Sequence, residues 1–435
     1  MFEAAVGDER MPAITFLAEH GRYSRAVTTF PSLTPVCMSS LVTGAHPDVH
    51  HIPHLVWWNR RERRIVEYGS SFAALRAAGM TRGIRDTIVN MNRDHLSADA
   101  VTLFETIEEA GLTAAAINAT CYRGRTQHLP TVPGFPIPVL GPKRFFYYSL
   151  FESDPTGAPL AITARGAGSI DAYAAAVGRW LVTRDGFDLL VHYLPDYDFA
   201  SHAFGPGNAY EALARADASI GALLDAAGGP DEFLERYAVL LCSDHGQTRV
   251  ERHAYLNRAF AGCDDILATS SNRAGMLYRF GDRAPEARAL AQRLDEEESV
   301  DVTLFREGDE AVARRDGEEV RFAPEGAGWQ TSGDASLLDD PDGLARAWSA
   351  LQNPNAGDVL VSASTGSEFA DLAGRHHVGG GSHGSLAAGD SEVPMLTIGV
   401  EATPRSIVDV APAVARHFDL EPPAYQRETA PRVAA

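Results

Sequence analysis

Short apolar runs of β type alternate with stretches of helical period along most of this chain, and that alternation narrows its fold more than any other feature. Candidate strands lie at Leu189–Val191, Ala238–Cys242, Val359–Ser362 and Met395–Val400. Candidate helices lie at Pro12–His20, Ser97–Ala110, Ile170–Thr183, Glu211–Ala227, Pro285–Glu296 and Ile407–Phe418. Strands and helices in alternation call for an α/β sandwich with a mainly parallel central sheet. Residues 255–370 break the rhythm with short strands and acidic turns such as Glu307-Gly308-Asp309-Glu310, so an α+β insert or cap is expected there. Residues 1–254 and 371–420 then form the main α/β domain, and 421–435, with Pro422, Pro423 and Pro431, a frayed tail. A chain of 435 residues that is 45% hydrophobic can bury a large core.

The balance of charge excludes some functions. The formal net charge is −20, and no basic stripe suited to a nucleic-acid duplex is visible. There is no apolar run long enough to span a bilayer. The first residues lack the basic, apolar and small-residue regions of a signal peptide, so a cytoplasmic protein is expected. Cys37, Cys121, Cys242 and Cys263 are scattered, with no C-x-x-C pair, and read as buried free thiols. An acidic protein that handles an anionic substrate needs local positive charge, which bound divalent cations would supply. From charge alone, the simpler reading is that the acidity only aids solubility.

Four segments carry chemistry. Thr34-Pro35 reads as a helix start, with threonine at the cap, proline at the first helical position and Gly44 as the stop. Such a helix end favours an anion, though it would also serve as a plain cap. Asp198 and His202 are four apart and share a face of one helical turn, a zinc-ligand pair unless the segment is a solvated loop. Val239–Cys242 is an apolar strand that ends abruptly in Ser243-Asp244-His245-Gly246, and buried polar groups at that point need partners. Gly379-Gly380-Gly381-Ser382-His383-Gly384 lets the backbone approach a ligand closely. It could also be a mobile glycine loop, and His376 or His377 could act in place of His383.

In this order the segments resemble the alkaline phosphatase superfamily, and within it the type I phosphodiesterase/nucleotide pyrophosphatase family. The motif F-P-x-x-T, with a T-G further on, is matched by Phe30 to Thr34 and Thr43-Gly44. D-x-x-x-H-x-x-G-P is matched by Asp198 to Pro206, S-D-H-G by Ser243 to Gly246, and G-x-H-G by Gly381 to Gly384. The resemblance spans most of residues 11–417. It implies an alkaline-phosphatase-like three-layer sandwich and two divalent metal ions, most naturally Zn2+. Asp198, His202 and His383 would bind one ion. Asp244 and His245 would bind the other, together with Thr34 and one further aspartate. Thr34 would be the nucleophile and would pass through a phosphothreonine. A phosphomonoesterase or phosphonate hydrolase on the same scaffold is the alternative enzyme, and a silent metal-binding protein the alternative class.

The chain departs from the family pattern in two places. The family's first strand ends in Asp-Gly and gives that aspartate to the second metal. Met1 to Asp8 contain no such strand, and Asp8 stands too close to the helix at Pro12. The expectation is that Met1 is internal and that an in-frame extension encodes the strand; a true start at Met1 would leave an unstable chain that binds its second metal poorly. Cys37 is the second departure, since relatives often place a phosphate-contacting asparagine soon after the nucleophile. A sulfatase is excluded because Thr34 to Met38 does not supply C/S-x-P-x-R. The substrate is expected to be a small phosphoester, nucleotide-like, with Trp58 and Asn59 at the leaving group. Trp57 and the run Phe145-Phe146-Tyr147-Tyr148 could also stack on a base, or all of these could be core. Trp58→Ala should then raise KM for a nucleotide ester more than for a small aryl ester. The oligomeric state is left open.

Overall fold

The computed structural model describes residues 2–131, 137–153, 169–184 and 186–426. Its main sheet is built in two pieces. The first runs Phe151–Ser153, Arg144–Tyr147, Ala114–Ile117, Leu189–His192, with Ala114–Ile117 parallel to both of its neighbours. The second runs Arg22–Val27, Glu392–Ile398, Val239–Cys242, with antiparallel pairing on both sides of Glu392–Ile398. The expected strands at Leu189, Val239 and Met395 are therefore present, the last beginning three residues early at Glu392.

The same helical layers cover both pieces. On one face Leu190 packs with Tyr173, Val177 and Leu181 of the helix Ile170–Val182. On that face Val239 and Leu241 pack with Leu224 and Ile220 of the helix Tyr210–Ala226. On the other face Leu41, from the helix Thr34–Thr43, touches the cluster holding Leu189 and Val191 and also the one holding Leu240 and Cys242. Phe187 and Tyr237, one just before each strand, stack with centroids 5.4 Å apart. Yet no pairing joins Leu189–His192 to Val239–Cys242 among the described residues. Every residue of these two strands is only partly buried, whereas Ala114–Ile117 is buried throughout. Burial among protein atoms pushes the Cys242 thiol up to about 12 even so. Both strands are thus apolar and deep in the molecule yet keep part of their surface accessible.

Residues 266–363 form a separate seven-stranded sheet, antiparallel at every pairing. Alternation along Val300–Glu307 sends Leu304 toward the helix Gly343–Gln352 and Phe305 toward the helix Ala287–Leu294, so both faces are covered.

Most expected helices hold to within a few residues, but Ser97–Ala110 does not. Its helix is only Leu103–Glu109, started by a capping box in which Thr102 and Glu105 satisfy each other's backbone N–H. The Ser97 hydroxyl instead closes a turn onto the Asp99 N–H. Asp86–His95 forms a π-helix that apolar spacing did not suggest. Pro422 and Pro423 of the expected tail are within the described residues; Pro431 lies outside them. No helix among the described residues is long and apolar enough to cross a membrane.

Candidate metal centre

Asp198 and His202 sit one turn apart on the helix Asp196–Phe204, so they share a face. The strand Val239–Cys242 stops at Ser243 and leaves Asp244 and His245 at its carboxyl end. The short strand Gly381–Ser382 pairs with Thr248–Arg249, which brings the next residue, His383, alongside the Asp244–His245 loop. Gly380 allows that approach, because a Cβ there would stand 1.9 Å from the His202 carbonyl oxygen.

Thr34 opens its helix one position later than expected. Leu33 is the cap, and its carbonyl accepts from the Val36 and Cys37 N–H groups, both at 2.9 Å. With those donors satisfied, the Thr34 hydroxyl is released from capping and lies 3.0 Å from His245 Nε2. Gly44 ends the helix in the left-handed region, as expected.

The three imidazoles are oriented alike. His202 Nδ1 meets the Gly381 carbonyl at 2.8 Å, His245 Nδ1 the Gly246 carbonyl at 3.0 Å, and His383 Nδ1 the Ser32 carbonyl at 2.7 Å. A carbonyl can only accept, so each Nδ1 carries a proton and each ring presents its Nε2 inward. His202 and His383 Nε2 are 3.2 Å apart. Asp198 oxygens lie 3.5 Å from His202 Nε2 and 3.8 Å from His383 Nε2. Asp244 Oδ2 is 3.4 Å from His245 Nε2. The His245 and His383 rings stack at 3.6 Å, so the two groups of candidate ligands are contiguous.

The electrostatics fit a cation. Burial, reinforced by His245 and His202, holds the His383 imidazole well below its ordinary range and therefore neutral. Burial also lowers His202, against the opposing pull of Asp198. Burial raises the Asp244 carboxyl, and neighbouring Asp198 adds to the rise. At His245 burial pulls down, but Asp244 and Asp198 outweigh it and the net shift is upward. The lone pairs of His202 and His383 Nε2, 3.2 Å apart, repel, and Asp244 Oδ2 is buried with no hydrogen-bond partner. One ligand atom from each of Asp198, His245 and His383 falls within 4.8 Å of the others. A positive ion would satisfy all of these groups at once.

Several nearby residues had no signal in the sequence. Gln247 donates its amide to Asp198 and accepts from Ser201, and so cross-links the two ligand-bearing elements. Asn272 donates to His383 Nε2 at 3.0 Å. His377 is not in the ligand cluster. Its ring lies 4.2 Å from that of His202 and is tied to buried Glu368 at 3.0 Å. His376 stacks on His253.

The three expected substrate contacts each have protein partners. Cys37 is completely buried, its sulfur 3.1 Å from the Thr28 hydroxyl, so substrate cannot reach it. The Trp58 ring packs edge-on against Phe280 at 5.4 Å and borders the core of the seven-stranded sheet. Asn59 is buried and turns its side chain back onto Glu62. Phe145, Phe146 and Tyr147 are core residues.

A sequence model described as type I phosphodiesterase / nucleotide pyrophosphatase matches residues 2–386. No curated protein matches the chain by sequence. Among solved structures, phosphonoacetate hydrolase from Sinorhizobium meliloti in complex with phosphonoformate superposes with a TM-score of 0.61 at 17% identity, covering 95% of this chain and 92% of that one. Murine ectonucleotide pyrophosphatase/phosphodiesterase 5 superposes with a TM-score of 0.61 at 12% identity, covering 97% and 92%. An inactive form of the murine protein in complex with AMP gives the same TM-score at 13% identity and the same coverage. At these identities the likeness shows a fold, the alkaline-phosphatase-like α/β fold, and the sequence match shows the rest: this chain belongs to the type I phosphodiesterase/nucleotide pyrophosphatase family.

Proposed function

We propose that the chain is a two-metal phosphodiesterase/nucleotide pyrophosphatase that cleaves phosphoester or phosphoanhydride bonds through Thr34. The observation that carries this reading is the Thr34 hydroxyl, 3.0 Å from His245 Nε2, beside two further imidazoles whose Nε2 atoms point the same way. Asp198, His202 and His383 would hold one ion, and Asp244, His245 and Thr34 the other. Zinc suits this mixture of nitrogen and oxygen donors, although manganese or iron would also be accepted. When bound, such ions lower the pKa of a hydroxyl and neutralise phosphoryl oxygens. The Thr34 oxygen then attacks phosphorus as the ester oxygen leaves, and water hydrolyses the phosphothreonine in a second step. The relatives seen with phosphonoformate and with AMP support a small phosphoester substrate, nucleotide-like. We further take residues 255–370 to be an insert in a catalytic domain made of 1–254 and 371–420.

The test is zinc-reconstituted protein assayed with bis-p-nitrophenyl phosphate and p-nitrophenyl phosphate. The proposal expects two zinc ions per chain, preference for the diester, and turnover lost in Thr34→Ala with zinc retained. Preference for the monoester would move the assignment to a phosphomonoesterase. Turnover that survives Thr34→Ala would end the nucleophile assignment.

One observation favours a second reading. Asp244 and His245 stand at the end of Val239–Cys242 and offer one carboxylate and one imidazole, where the first set offers one carboxylate and two imidazoles. On this reading the chain binds one ion well and hydrolyses poorly. Zinc content near one per chain, with negligible turnover, would select it.

A further inference from the structure

We propose that Asn272 is a substrate-contacting residue, its side-chain amide donating to a phosphoryl oxygen; this rests on the hydrolase reading above. Asn272 belongs to the two-residue turn between Ile266–Ser271 and Ala274–Arg279, the first hairpin of the seven-stranded sheet. Its φ of 57° is in the left-handed region, which asparagine tolerates better than most residues. The hairpin tip is fixed from both sides. The Asn272 carbonyl accepts from the Phe369 N–H at 2.7 Å, and the Arg273 N–H donates to the His383 carbonyl at 2.8 Å. A sheet that is otherwise remote in sequence thus delivers one side chain to the metal centre.

That side chain is buried, at 5% exposure, and its orientation is determined. The Ser271 hydroxyl donates to Asn272 Oδ1 at 3.0 Å, which turns the amide nitrogen toward His383 Nε2, also 3.0 Å away. His383 Nε2 has one lone pair, because Nδ1 already donates to the Ser32 carbonyl. It is the same nitrogen that lies 3.2 Å from His202 Nε2 and 3.8 Å from an Asp198 oxygen. A lone pair that holds a cation cannot also accept from the amide. With the cation in place, the Asn272 N–H is a buried donor that must find another acceptor in the same small space. Asp198 Oδ1 is already taken by Gln247. The acceptor that phosphoester hydrolysis brings there is an oxygen of the phosphoryl group. A neutral donor also suits the surroundings, since Asp198 and Asp244 already add negative charge next to an anionic substrate.

The test uses the full chain reconstituted with zinc. Asn272→Asp keeps the size and the tolerance of positive φ but replaces the donor with a charged acceptor. Asn272→Gly keeps the backbone and removes the group, and serves if the aspartate variant folds poorly. Three quantities are read: kcat and KM for bis-p-nitrophenyl phosphate, the Kd for inorganic phosphate by calorimetry, and zinc affinity by chelator competition. We expect kcat to fall about 100-fold and phosphate binding to weaken about 10-fold, with zinc affinity nearly unchanged. Unchanged kcat and phosphate affinity would overturn the assignment. So would a parallel loss of zinc affinity in both variants, which would mean that Asn272 acts on His383 and not on substrate. If the wild-type protein itself neither hydrolyses the esters nor binds phosphate, the hydrolase reading fails first and this one with it. An active wild type with unaffected variants removes Asn272 alone.

Discussion

Replacing Arg273 by methionine should destabilise the protein by an amount that the structure allows to be worked out. Arg273 and Asp390 form an ion pair at 2.7 Å with both side chains fully buried. The Asp390 carboxylate also accepts from the Thr248 hydroxyl at 2.6 Å and from Ser385 through its N–H at 2.9 Å and its hydroxyl at 2.7 Å. The guanidinium donates further to the Ser367 and Ser364 carbonyls, both at 3.1 Å. The Asp390 carbonyl accepts from the Gly246 N–H at 2.8 Å. The pair therefore bolts together the loops after His245 and His383 and the hairpin tip that holds Asn272. Arg273→Met leaves a buried carboxylate without its counter-charge, which costs about 3–5 kcal/mol. With an unfolding entropy of about 2.1 cal/mol/K per residue, and one cooperative transition for 435 residues, that is a fall in Tm of about 3–5 °C. Calorimetry on Arg273→Met, Asp390→Asn and the double variant is the assay. The double variant removes both charges, so it should be more stable than the sum of the single losses predicts, by at least about 1 kcal/mol. Strict additivity, or a single-variant loss below about 1 kcal/mol, would refute the argument that charge compensation holds these loops.

Two other outcomes follow from burial. Burial, with Asp196 nearby, pushes the Asp171 carboxyl up to about 7. The native state then keeps a proton between about pH 4 and 7 that the unfolded chain has lost, so stability falls as pH rises through that window, by at most about 4 kcal/mol. Asp171→Asn keeps the oxygen that accepts from the Asp196 N–H; its Tm should exceed wild type at pH 8 and show no such gain at pH 4, and an equal shift at both would count against it. Trp58→Ala should lower Tm through the lost contact with Phe280 and change KM equally for a nucleotide ester and a small aryl ester. A rise confined to the nucleotide ester would restore a base-stacking role.

Much of the architecture was legible because period and burial leave a direct mark on residue type. Val239–Cys242 is wholly apolar since helices cover both of its faces, and Pro12–His20 follows its proline start. The stretch at 97–110 misled because its apolar spacing suits a helix, while Thr102 and Glu105 form a stronger start signal inside it. Thr34 was placed at the cap because threonine is a good cap; it lies one residue later because the Leu33 carbonyl already serves the donors that a cap would serve.

The sequence by itself determined the chemistry of the candidate site: Asp198 and His202 at helical spacing, Asp244 and His245 at a strand end, His383 after glycines, and Thr34 ahead of a proline. Local patterns record such choices because neighbours along the chain impose them. Tertiary structure alone decided that three Nε2 atoms face inward, that Cys37 and Trp58 are occupied by protein partners, and that Asn272 reaches His383 across 111 positions of sequence. Those facts depend on which carbonyl meets which ring and on which hairpin tip meets which loop. No local pattern encodes such meetings, because the partners are set by how separate sheets pack.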